Sequence, residues 1–93
     1  MNHEENFTNY CDMLLKQYSV SVPDKNLAQP VRRQKIKESY EANKAKLEKF
    51  FNEEIDKMEK LYRIDTTQLR NILRDKLREF KSQTQDSFED FQL

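Results

Sequence analysis

The 93-residue chain contains no glycine. Sheet hairpins and phosphate-cradling loops need positive φ angles, so this absence argues against β-rich and α/β folds and removes any nucleotide-binding fingerprint. Cysteine is almost as scarce: Cys11 stands alone, no internal disulfide can form, and a reducing, intracellular compartment is favoured. Cys11 also falls among apolar neighbours at helical spacing, which makes it a small core hydrophobe rather than a nucleophile. Histidine occurs once, as His3 beside the N-terminus, and no Cys-His or Glu-x-x-His spacing offers a metal site. No run of apolar residues approaches membrane-spanning length, and the polar Met-Asn-His-Glu-Glu start is unlike a signal peptide. The chain is therefore expected to be soluble and cytoplasmic, with a mitochondrial address left open, and to have no catalytic residues, cofactor, metal or small-molecule substrate.

Seventeen cations balance seventeen anions, so the whole chain offers no electrostatic footprint for DNA or RNA. The balance is uneven along it: residues 1–30 carry −2, residues 31–64 carry +3 and residues 65–93 carry −1. At 35% hydrophobic and 37% charged, the chain is too poor in apolar side chains for a thick core, and its core is expected to be a seam between helices.

That seam is visible as a period. Ile36, Leu47, Met58, Leu69, Phe80 and Phe91 recur every eleventh residue, which is close to three helical turns and keeps them on one stripe. A second ladder, Tyr40, Phe51, Tyr62 and Leu73, lies four residues further on and shares the face. Upstream, Phe7, Tyr10, Cys11, Leu14 and Tyr18 mark a short amphipathic helix over residues 3–18, with Asn2 and Glu5 at capping-box spacing. Residues 19–29 form a linker, since Ser19-Val20-Ser21-Val22-Pro23 disfavours helix and Pro30 suits the first position of a second helix. That helix is expected over 30–62. Asp65-Thr66-Thr67-Gln68 has the form of a further capping box, with Ile64 and Leu69 as its hydrophobic staple, which favours a tight turn or sharp kink near 63–66 and a third helix over 66–89. Against it, the eleven-residue ladder passes through position 65 in phase with no glycine or proline to force a turn, so one very long helix is the alternative if the cap is not used. The buried side of the third helix should carry Leu69, Ile72, Leu73, Leu77, Phe80 and Phe88. The predicted fold is a single all-α domain over 1–93: an elongated three-helix arrangement of one short amphipathic helix on a long, coiled-coil-like antiparallel hairpin.

Two groups are candidates for function. The apolar seam, represented by Phe51, Met58, Leu69, Leu73, Phe80, Phe88 and Phe91, is a docking surface for a protein partner or a second copy. Phe88, Phe91 and Leu93 in particular are interleaved with Asp86, Glu89 and Asp90 at a helix end, where a partner is the simplest cover. The second group is Arg32, Arg33, Lys35 and Lys37 at the start of the second helix, where cations oppose the helix dipole. They could contact phosphate or an anionic membrane surface, or simply be offset by Glu38 and Glu41 at helical spacing.

The spacing Leu69-x3-Leu73-x6-Phe80-x3-Thr84, preceded by Val22-Pro23-x3-Leu27 and a long charged helix to Phe50-Phe51, resembles the helical middle domain that follows the GTPase in guanylate-binding proteins and atlastins. Similar spacings occur around Tyr10 and Met13, while Thr84 stands where that family often has asparagine. No GTPase part is present. The resemblance implies a helical lever or docking segment without nucleotide chemistry. Leu61-Tyr62-Arg63 also spells the tripeptide of the LYR assembly factors, but too few residues follow it for the three-helix domain it opens in that family.

Overall fold

The computed structural model describes residues 2–21, 24 and 26–88. Three helices fold as an elongated all-α unit of 51 × 18 × 18 Å: α1 (His3–Gln17), α2 (Gln29–Tyr62) and α3 (Thr67–Ser87). At 1.5 Å per residue the 34 residues of α2 span about 51 Å, so this helix alone sets the length of the molecule.

Asn2 starts α1, its Oδ1 accepting the Glu5 N–H at 2.7 Å, as the sequence spacing predicts. In the linker, Asp24 makes an Asx turn by accepting the Asn26 N–H at 2.9 Å, and its carbonyl accepts the Leu27 N–H at 3.2 Å. Pro30 then lies in the first turn of α2, where a missing N–H costs nothing.

The predicted turn between the long helices forms, but by a different device. Arg63 ends α2 in the left-handed region, at φ 50° and ψ 46°, with its N–H donating to the Glu59 carbonyl. Glycine would normally take this position; without one, an arginine bears the Cβ strain. Asp65 is not the N-cap of α3. Thr66 holds that place, and Asp65 Oδ1 accepts both the Thr67 N–H at 2.9 Å and the Thr67 hydroxyl at 2.7 Å. These bonds hold the Asp65 carboxyl below its ordinary pKa range, the hydroxyl bond being the larger cause.

Contacts between the two helices pair positions progressively farther back along α2 with positions progressively farther on along α3, which fixes them as an antiparallel hairpin. Asp56 approaches Arg70 at 3.8 Å near the turn, and farther out Tyr40 stacks on Phe80 with centroids 5.2 Å apart. α1 lies on one side of the hairpin, antiparallel to α2 and parallel to α3. His3 meets Tyr62 at the turn end, Phe7 and Tyr10 pack edge-on to Phe51, and Tyr18 leans on Phe50. Two polar ties fix α1: Lys76 Nζ donates to Asp12 Oδ1 at 2.6 Å, and Asn43 Nδ2 donates to the Tyr18 carbonyl at 2.9 Å. Lys76 also reaches Glu79 at 3.2 Å, and its pKa is raised, first by the bond to Asp12.

The ladders form the core. Ile36, Leu47, Met58, Leu69 and Phe80 are all buried, joined by Ile55 and by Phe7, Cys11, Leu14 and Leu15 of α1. Leu15 and Ile55 lie outside the expected stripes, and Tyr62, a ladder member, is 53% exposed because α2 ends there. Some fifteen residues of α1 reach only about 22 Å, less than half of α2. Beyond its end, Val20 of the linker closes over Ile36 and Phe88 in a small separate cluster. The expectation that Phe88 needs a partner to cover it is thereby corrected: the linker and the start of α2 bury it to 2% exposure.

Candidate functional site

Because α1 occupies one side of the hairpin, the other side of the α2–α3 junction stays open. There the two helices enclose a groove of about 400 Å³. From α2 it is lined by Tyr40, Lys44, Glu48 and Asn52, which follow one another at three- and four-residue steps on the helix surface. From α3 come two neighbouring rows. Leu73 and Leu77 form the floor, and Arg70, Arg74 and Arg78, with Lys81 three residues on, form the rim.

The floor is fixed and apolar. Leu73 and Leu77 remain half-buried, whereas Leu69 and Phe80 of the same helix are closed off in the core. Tyr40 lies flat against Phe80 with only 15° between their planes, and burial pushes its phenol pKa up.

The rim is positive. Five cations and one carboxylate line the groove. Lys44 is shared with Glu48 at 3.9 Å, and Arg70 is 3.8 Å from Asp56. Among the described residues, Arg74, Arg78 and Lys81 have no carboxylate within 4.0 Å. Three adjacent cations thus stand unpaired beside two open leucines. Charges in this setting attract a complementary surface more strongly than they stabilise the fold, since exposed pairs contribute only about 0–1 kcal/mol to stability.

Most of the seam expected to dock is closed within the chain. Phe51, Met58, Leu69, Phe80 and Phe88 are buried against its own helices and linker, and of the described seam residues only Leu73 opens to the surface. Phe91 lies outside the described residues. Arg33, Lys35 and Lys37 are exposed on α2, and Arg32 is half-buried with its Nε enclosed and, among the described residues, without a hydrogen-bond partner. Among the described residues neither Glu38 nor Glu41 comes within 4.0 Å of these cations, and Glu38 accepts the Gln34 amide at 3.1 Å. Sequence reasoning had placed Leu77 on the buried side and overlooked Arg70, Arg74, Arg78 and Lys81. A signal for them was present: cations at i, i+4 and i+8 flanking leucines at i+3 and i+7.

Cys11 is fully buried, and desolvation pushes its thiol up to about 12, leaving it protonated and unreactive at neutral pH. Tyr10 is shifted upward as well, chiefly by burial. Among the described residues no group of three His, Cys, Asp or Glu side chains is placed to hold a metal ion, and no helix is long and apolar enough to cross a membrane. No protein-family model, curated protein or solved structure matches the chain.

Proposed function

We propose that this chain is a non-enzymatic helical interaction subunit that docks onto a partner protein through the open groove between α2 and α3. The observation that carries this reading is the pairing of Leu73 and Leu77, left half-open, with the unpaired cations Arg74, Arg78 and Lys81. An apolar floor beside concentrated charge of one sign is the pattern of a recognition surface, in which the floor supplies affinity and the rim supplies steering. The buried, protonated Cys11 thiol is compatible with a binding role. So does the resemblance of the helix spacing to the middle domain of guanylate-binding proteins and atlastins, which implies a docking or lever segment. A free cysteine buried in the core suits a reducing, intracellular setting.

Site-specific photocrosslinking in the cells of origin tests the reading. A photoreactive side chain at Leu77 should yield a discrete heteromeric adduct, while the same group at the outward-facing Asn71 should not. Equal yields at the two positions, or none at Leu77, would remove the groove as the docking surface.

A second reading has one specific observation behind it. Arg32 keeps an enclosed Nε without an acceptor among the described residues, at a helix start that has no side-chain cap and no acid in its first turn. With Arg33, Lys35 and Lys37 it would contact an anionic surface. Flotation with acidic vesicles that is lost in R33E/K37E, and absent with neutral vesicles, is the outcome this reading requires.

A further inference from the structure

Resting on the docking reading above, we infer that the occupant of the groove is an acidic amphipathic helix of a partner protein, about three turns long. The length follows from the rim: from Arg70 to Lys81 is eleven residue steps along α3, about 16 Å or three helical turns. The shape follows from the floor. Leu73 and Leu77 lie one turn apart in a trough between two antiparallel helices, which receives the apolar ridge of a third rod, the geometry of helix-in-groove recognition. The charge follows from Arg74, Arg78 and Lys81, whose spacing matches carboxylates repeated at three- and four-residue steps along the facing helix.

Other occupants fit less well. A second copy joined two-fold through this face would set the same unpaired cations against each other. Bases of a single-stranded nucleic acid need exposed aromatic faces to stack on, and Tyr40 is 6% exposed with its ring already stacked on Phe80. A flat bilayer cannot reach leucines recessed between two helices. A three-turn helix buries less than a standard interface, so the contact is weak, reversible and sensitive to salt.

The test uses the full chain and two synthetic peptides of about eighteen residues, long enough to populate helix in isolation. Both carry leucine at alternating three- and four-residue steps; one has glutamate on the flanking positions and the other lysine. The glutamate peptide should bind in fluorescence anisotropy, weakening about tenfold as salt is raised from about 0.05 M to about 0.5 M. R74E/R78E/K81E should lose that binding, gain the lysine peptide and keep the parent's circular dichroism and melting, because these side chains are exposed and unpaired. Equal binding of both peptides by the parent, or glutamate-peptide binding unaffected by the triple reversal, would overturn the inference. So would a parent dimer that the triple reversal dissociates, tighter binding of a single-stranded oligonucleotide than of the peptide, or glutamate-peptide binding that strengthens when residues 89–93 are deleted. A Leu77 crosslink to a partner combined with no glutamate-peptide binding would reject the acidic helix while leaving the docking reading intact; no Leu77 crosslink removes that reading itself.

Discussion

Phe51→Ala should remove about half of the stability of this fold. Phe51 has no exposed surface and lies where all three helices meet, with Phe7 and Tyr10 of α1 edge-on to its ring at 6.3 and 6.4 Å. Truncation to alanine strips on the order of 100 Å² of buried apolar surface, about 2.5–3 kcal/mol at the usual area coefficient. Losing two ring contacts and leaving a partly collapsed cavity adds to this, for a total of about 3–5 kcal/mol. A domain of this size has about 5–14 kcal/mol in all. The urea midpoint should therefore fall steeply, and the melting temperature by roughly 15–30 °C. Because the lost contacts are mainly to α1, that helix should loosen first. The Cys11 thiol, shielded in the parent, should then react with a thiol reagent at urea concentrations below the main transition. A variant that melts within about a degree of the parent, with Cys11 still shielded, would refute the placement of Phe51 at the centre of the core.

Two further outcomes follow from local features. The folded chain holds the Cys11 proton up to about pH 12, whereas the unfolded thiol releases it near the ordinary cysteine value of 9.0. Stability is therefore unaffected by this group below pH 9 and should fall by up to about 1.4 kcal/mol per unit above it; Cys11→Ala should flatten the urea-midpoint slope between pH 9 and 10, before Tyr10 and Tyr40 add their own upward-shifted titrations. At the hairpin turn, Arg63→Gly should raise stability by about 0.5–1 kcal/mol by relieving the left-handed strain, while Arg63→Val should lower it; equal melting temperatures for the two variants would show that the turn is not held in that conformation.

The comparison of sequence with structure turns on what each signal can encode. Helix positions were legible because they depend on contacts within one or two turns. Asn2 with Glu5, and Pro30, are local devices, and each does in the structure what its neighbours require. Burial of the ladder was legible for the same reason, since any helix that packs at all buries its apolar stripe. The turn was only half legible. Its place near residue 63 was marked by Asp65, but a chain without glycine must put some other residue into the left-handed region, and the choice of Arg63 depends on how α2 has to end for α3 to pack back on it.

The open face belongs to tertiary structure alone. Leu69, Leu73, Leu77 and Phe80 are indistinguishable as an apolar stripe on α3, yet α1 and α2 close over Leu69 and Phe80 and leave Leu73 and Leu77 facing out. Likewise Phe88 was an unprotected end in sequence, and only the path of the linker, with Val20 against Ile36, shows that it is covered from within. Sequence therefore determined that this chain is a set of amphipathic helices with one shared seam, because helical periodicity and capping are short-range. The structure decided which part of that seam α1 consumes and which part, beneath Arg74, Arg78 and Lys81, stays available, because the side of the hairpin that a third helix occupies is set by long-range packing and by single ties such as Asp12 to Lys76.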